Sequence, residues 1–451
     1  MSALETSSDV NVACIFDAFI LAAGEPDRGK QRCQESGWTS TIQPLHYGLN
    51  HHMNDQPSKN ISRRTLIRNA ALATAVPAAL CSVAAGDTTN RPLVTQGMNG
   101  CQMLPGAQFY VGIDNKGLWP NLTKLPNGEI AAAIYNHPSH GYGDDSDVEL
   151  WISADEGINW TFRSKTSNHP EEPNGIRMNH AVGLNADGHL VALVSGYHKG
   201  QKLPFLKLQR CISKDLGQTW DRKLLNIDVV PHGDIFALPN GRLVCPAYRK
   251  FGDQPTRRRA IAIFSADGGK TWDNEQLTAD DVSESHILRH SDGTWLAVGR
   301  TSCRDRMDGA LPHGSGEILI RSNDEGKTWS EPKLIAPQGQ ENAHLVELKD
   351  SRLLCSFTSR IPGLFGVVLR MSSDAGKTWS IPVVLISSAA RDWRKTDCGY
   401  PSSIQLDDGS ILTAYYFGPK SPEWAAHGLP WHQRYHMGVA KWDLSLWPKD
   451  D

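Results

Sequence analysis

The sequence predicts an all-β protein, a six-bladed β-propeller of four-stranded antiparallel blades, preceded by an N-terminal region without regular structure. Three observations lead there. The phrase Ser-x-Asp-x-Gly-x-Thr-Trp occurs five times, at Ser153–Trp160, Ser213–Trp220, Ser265–Trp272, Ser322–Trp329 and Ser372–Trp379, with Asn159 in place of Thr in the first copy. Its Asp residues are spaced by 60, 52, 57 and 50 residues, the length of one sheet of four short strands. A second repeat, strand–turn–strand, occurs six times and interleaves with the first; its turns carry Gly128, Gly188, Gly241, Gly293 and Gly409, with Ser351 in the fifth copy.

Residues 1–52 show neither periodicity nor repeat, and are expected to be a disordered extension upstream of a true start at Met53. Residues 53–86 carry Arg63-Arg64, then an Ala-rich apolar stretch from Ala70 to Ala85 that is too short to span a bilayer and ends in small residues. That order describes a twin-arginine-type signal peptide and implies export, to the periplasm or beyond. A linker at 87–104 leads into the propeller at 105–446. The net charge of -3 argues against a nucleic-acid surface, and no segment supports stable membrane insertion.

Each unit reads strand, Gly turn, strand, loop, strand, Asp-containing box, strand. In the box, Ser and Asp side chains can hold a tight turn while Gly supplies a positive φ, and the Trp offers an apolar face for packing between units. The sixth unit has no box. Its third strand is expected at His436–Trp442 and its fourth at Gln108–Ile113, so that the two ends of the domain close the ring and leave no sheet edge exposed.

Gly turns and boxes all join odd strands to even ones and share one face. The opposite face holds the starts of the first strands and the ends of the second ones, and the chemistry is expected there. The starts carry His180, His232, His286 and His344 together with Tyr400, suited to proton transfer or to hydrogen bonds with sugar hydroxyls. The ends of three second strands carry Arg249, Arg300 and Arg360, a set suited to a carboxylate or sulfate. Trp119, Trp393 and Trp431 would stack on sugar rings near the mouth. No HExxH or Cys-x-x-Cys spacing occurs, so neither a metal nor a cofactor is expected.

The repeated box resembles the Asp-box of the sialidase (neuraminidase) superfamily. The resemblance implies a six-bladed propeller acting on acidic glycans, with an arginine triad, a Tyr/Glu nucleophile pair and an Asp acid/base. Matched by motif, Tyr400 resembles the nucleophile, Glu341 the residue that activates it, Asp145 the acid/base, and Arg360 a triad member. The family's Arg-Ile-Pro motif has Leu118-Trp119-Pro120 in its place, which leaves uronic and sulfated sugars open as substrates. The resemblance therefore implies an exported sialidase-like glycoside hydrolase. The residues also fit a polysaccharide lyase using His and Tyr, and a glycan-binding propeller without catalysis.

Overall fold

Runs of Val, Ile, Leu and Ala broken by Gly turns become strands along the whole domain, because both faces of each inner sheet are covered and no polar alternation is needed. The computed structural model describes residues 102–448 except 171, 173, 201–203, 251–256, 302–315, 337–338, 389, 393 and 430. The expected extension (1–52), the expected signal peptide (53–86) and Trp393 lie outside the described residues.

Strands β1 (Gln102–Met103) and β2 (Gln108–Asp114) precede six antiparallel meanders. The first is β3 (Leu118–Lys124), β4 (Ile130–Tyr135), β5 (Val148–Ser153) and β6 (Thr161–Lys165). The second is β7 (Gly175–Leu184), β8 (Leu190–His198), β9 (Gln209–Ser213) and β10 (Asp221–Leu224). The third comprises the short β11 (Val230–Pro231), then β12 (Gly233–Ala237), β13 (Leu243–Lys250), β14 (Arg258–Ser265) and β15 (Asp273–Asp280). The fourth is β16 (Val282–Arg289), β17 (Trp295–Thr301), β18 (Glu317–Ser322) and β19 (Lys333–Ala336). The fifth is β20 (Gln340–Glu347), β21 (Leu353–Ser359), β22 (Phe365–Ser372) and β23 (Val383–Ser388), with β1 added at its outer edge. The sixth is β24 (Thr396–Gln405), β25 (Ile411–Pro419) and β26 (His436–Trp442), and β2 pairs antiparallel with β26 as its fourth strand.

The first strands pack on one another in order, β3 on β7, then β12, β16, β20 and β24, and β24 packs back on β3. Between the second and third meanders the packing tightens into parallel pairing of β7 with β12, which merges the two into one sheet. Gly183 permits this: a Cβ there would stand 1.8 Å from the Ile235 carbonyl oxygen. Apolar clusters span neighbouring meanders. One joins Leu122, Ile130 and Ile134 to Leu412, Met437 and Val439, with Trp160 packed among them. Each such fully buried aliphatic side chain contributes about 1.5–3 kcal/mol.

The boxes are stapled turns. In the second, Ser213 Oγ donates to Asp215 Oδ1 (2.7 Å) and accepts from the Gly217 N–H (2.7 Å), while the Thr219 N–H and hydroxyl donate to the two Asp215 oxygens (2.9 and 2.6 Å). In the fifth, the Thr378 hydroxyl, then its backbone N–H, hold the Asp374 carboxyl down to about 2. The box tryptophans reach the preceding meander, as Trp220 Nε1 does in donating to Ser164 Oγ (2.9 Å). Ser351 takes the place of the turn glycine with φ +65. Among the described residues, no helix is long and apolar enough to cross a membrane.

Candidate functional site

The inner strands are bulged near their starts, with register shifts at Leu118/Asn121, Arg177/Asn179, Ser283/His286, Glu341/His344 and Gly399/Ser402. In four of these bulges a non-glycine residue has positive φ: Trp119 (+53), Glu284 (+47), Asn342 (+57) and Tyr400 (+47). Bulges re-aim side chains, and such backbone costs about 1–3 kcal/mol per residue and persists where the surroundings impose it. The bulges sort the axial residues into two tiers. One holds Trp119, Met178, His232, Glu284, Asn342 and Tyr400. The other, two residues further along each strand, holds Asn121, His180, Asp234, His286, His344 and Ser402.

The second tier closes on itself. Asn121 Nδ2 donates to Asp234 Oδ1 at 2.8 Å, and the Nε2 atoms of His286 and His344 lie 3.3 and 3.1 Å from Asp234 Oδ2. Burial would raise the Asp234 carboxyl, but His344 and His286 hold it well below the carboxylate range. His180 is buried between the carbonyl oxygens of Met178 (3.1 Å) and Ala133 (3.2 Å). The structure thus corrects the expectation that His180, His286 and His344 face substrate: all three are buried and committed to internal partners.

Asp234, His286 and His344 place one ligand atom each within 4.8 Å of one another, a spacing that would suit a metal ion. The tautomers do not. His286 Nδ1 accepts the Leu345 N–H and His344 Nδ1 accepts the Ser403 N–H, both at 3.3 Å. A neutral imidazole accepting at Nδ1 carries its proton on Nε2, so His344 donates to Asp234, His286 turns its own N–H towards the same oxygen, and neither offers a lone pair. The donor set does not fit a metal.

The first tier carries the reactive arrangement. Tyr400 Oη donates to Glu284 Oε1 at 2.7 Å. Arg300 Nη1 (2.9 Å) and Asn342 Nδ2 (2.5 Å) donate to Glu284 Oε2. Arg300 Nε lies 2.8 Å from Glu341 Oε2, and Arg360 Nη1 binds the other oxygen of Glu341. Arg360 Nη2 then reaches Asp397 Oδ1 (3.4 Å) and Tyr416 Oη (3.1 Å). The result is an alternating chain, Glu284–Arg300–Glu341–Arg360–Asp397, three carboxylates to two guanidiniums. Burial would raise the Glu284 carboxyl, but Arg300, His232 and the Tyr400 hydroxyl hold it down to about 2. Burial, then Glu284, pushes the Tyr400 phenol well above its ordinary value. Glu284 is therefore ionised and Tyr400 neutral at physiological pH. His232 is half-buried with its ring 5.7 Å from that of Tyr400, and Nδ1 faces the Ser285 carbonyl at 3.3 Å. Burial lowers its pKa.

Tyr400, Glu341, Arg300, Arg360 and His232 are brought together. Arg249 and Asp145 are not. Arg249 leaves the end of β13 half-exposed and pairs with Glu275 at 2.9 Å. Cross-strand register explains the difference: Arg300 pairs with Ser283 within its hairpin, whereas Arg249 extends past Tyr248 and its partner Val230. The Asp145 carboxylate is 95% exposed beside Lys165, so it does not share the buried site. Glu341 is in the cluster, but as the buried link between two arginines; the carboxylate on Tyr400 is Glu284. A countable signal marks Glu284. Trp119, His232, Glu284, Asn342 and Tyr400 each stand nine residues before the turn residue of their hairpin, Gly128, Gly241, Gly293, Ser351 and Gly409. Asp397 and His140, which also join the site, carry no repeat signal.

The family model described as "BNR repeat-like domain" matches residues 130–412, more than half of the chain. The chain belongs to the BNR repeat-like family. Among solved structures, this BNR repeat-like chain is similar to a Dyadobacter fermentans protein of unknown function, with TM-score 0.60 and 20% identity over 77% of this chain and 100% of that one. It is similar also to a Hadza microbial sialidase, TM-score 0.55 and 16% identity over 73% of this chain and 66% of that one. The NanB sialidase of Streptococcus pneumoniae gives TM-score 0.53 and 13% identity over 77% of this chain and 71% of that one. At these identities the likeness is one of fold. No curated protein matches.

Proposed function

We propose that this protein is an exported, sialidase-like glycoside hydrolase whose six meanders close as a six-bladed propeller, and that it acts on terminal acidic sugars of glycans. The closure is supported by β24 packing back on β3. The observation that carries the activity is the 2.7 Å hydrogen bond from Tyr400 to Glu284, a neutral phenol held against an ionised carboxylate that can accept its proton. Attack by the phenol oxygen on the anomeric carbon, with proton loss to Glu284, would give a covalent glycosyl-enzyme and net retention. A neutral nucleophile tolerates a carboxylate on the anomeric carbon, so the pair suits an acidic sugar, while Arg300 and Arg360 hold Glu284 and Glu341 in place beside it. Export rests on the Arg63-Arg64 signal-like segment.

Incubating the purified chain with sialosides, uronides and sulfated oligosaccharides, and weighing the products by mass spectrometry, tests this reading. Hydrolysis adds the mass of water and is expected to stop in Tyr400→Phe. An unsaturated product of lower mass would instead support the lyase reading, which the closeness of His232 to Tyr400 favours. Saturable binding without any product would leave a lectin-like propeller.

A further inference from the structure

We infer that His140 is the proton donor to the leaving group and the proton acceptor from water in this site; the inference rests on the hydrolase reading above. His140 lies on the loop between β4 and β5, whose neighbouring Gly141 carbonyl accepts the Tyr135 hydroxyl at 2.8 Å. Its Nδ1 binds Asp397 Oδ2. Asp397 is 2% exposed while the imidazole is 46% exposed, so a buried carboxylate orients a ring open to solvent. The carboxylate is itself fixed by the Tyr435 hydroxyl (2.6 Å), the Tyr416 hydroxyl (3.1 Å) and Arg360 (3.4 Å). A carboxylate on one ring nitrogen sets the tautomer and stabilises the imidazolium, which leaves Nε2 to exchange protons.

Geometry joins this pair to the nucleophile. The His140 ring lies edge-on to Trp119 (5.2 Å between centroids) and to Tyr416 (6.2 Å). The Tyr400 ring lies 6.1 Å from Trp119 and 5.9 Å from Tyr416. Imidazole and phenol thus border the same two aromatic rings, at opposite ends of the Glu284–Arg300–Glu341–Arg360–Asp397 chain. Asp145, on the same loop, is turned to solvent.

The steps balance. Tyr400 Oη bonds to the anomeric carbon and its proton passes to Glu284. The bond from that carbon to the leaving oxygen breaks, its electron pair stays on the oxygen, and the His140 Nε2 proton neutralises it. Water then attacks the anomeric carbon, gives its proton to Nε2, and the tyrosyl oxygen departs and recovers its proton from Glu284.

Loss of a proton donor harms poor leaving groups more than good ones. The full chain and its His140→Ala variant would be assayed on 4-methylumbelliferyl α-sialoside, a good leaving group, and on sialyllactose, a poor one. The expected loss in kcat/KM is roughly a hundredfold or more on sialyllactose and under about tenfold on the aryl sialoside, with azide restoring the aryl kcat lost in the second step. Equal losses on both, or none, overturn the role of His140 while leaving Tyr400 untouched. A wild-type chain inert on sialosides, uronides and sulfated oligosaccharides alike, or a fully active Tyr400→Phe, sinks the hydrolase reading and this role with it. Should His140→Ala fail to fold, His140→Gln and proton NMR decide: a downfield ring N–H signal is expected in the wild type and lost in the variant, and its absence from the wild type removes the Asp397 contact on which the role depends.

Discussion

Tyr400 and Glu284 meet at 2.7 Å across 116 residues of chain, from the sixth and fourth meanders. Asn342, from the fifth, donates to the same carboxylate. Three successive inner strands thus each contribute one bulge residue with positive φ to a single hydrogen-bonded group.

If the phenol is the nucleophile, Tyr400→Phe removes turnover and little else. Glu284 keeps Arg300 and Asn342 as partners, so no buried charge is stranded. The expected outcome is a fall in kcat of about a thousandfold or more with a melting temperature within a few degrees of wild type. Steady-state kinetics beside a thermal melt would check it, and retained turnover would remove the mechanism.

Glu284 and Glu341 should separate by phenotype. Glu284→Gln keeps hydrogen-bonding capacity but loses the base, so kcat is expected to drop roughly 10²–10⁴-fold. Glu341 is wholly buried between Arg300 and Arg360, and Glu341→Gln leaves two guanidiniums facing a neutral amide. Breaking such a buried ion pair costs roughly 3–5 kcal/mol. Urea unfolding should therefore single out Glu341→Gln, and initial rates on folded protein should single out Glu284→Gln.

Acid should destabilise the fold in two stages of one sign. His436 is kept neutral by burial, its pKa lowered from 6.5 to about 3. The unfolded chain takes up that proton first, so stability falls as pH drops through 6.5 towards 3. Glu284 has its pKa lowered from 4.5 to about 2, so its contribution is complete above pH 4.5 and is lost as pH falls towards 2. Urea midpoints at successive pH values should decline steadily on acidification, and His436→Asn should flatten the upper part of that decline. A midpoint that rises below neutrality contradicts both assignments.

The axial cluster should prove indifferent to chelators. Because the Nδ1 atoms of His286 and His344 accept backbone N–H groups and their Nε2 atoms carry the protons, EDTA is expected to leave the unfolding midpoint unchanged. Asp234→Ala should cost about 1–3 kcal/mol for each donor left without an acceptor. A midpoint lowered by EDTA and restored by zinc would show that the Nε2 atoms carry lone pairs instead.

Much of the site was legible in part. Tyr400 and Arg360 follow from motif resemblance, and the nine-residue offset before each turn would have added Glu284. Counting strand starts without that offset blends two tiers, so buried His180, His286 and His344 stand beside Tyr400 as if they shared its surroundings. Asp145 illustrates a different failure. Its loop does reach the site, but the residue that arrives is His140, because Tyr135 and Asp397 anchor the loop there.

The sequence alone determined the all-β meanders, their turns and the stapled boxes, since each rests on contacts between residues a few positions apart. It also placed β2 beside β26, because an incomplete last unit and an orphan first strand have one economical solution. Only the tertiary structure decided which carboxylate meets Tyr400 and which arginine stays outside. A one-residue bulge changes where a side chain is aimed, and contacts between meanders depend on how inner strands pack, neither of which is encoded in local spacing.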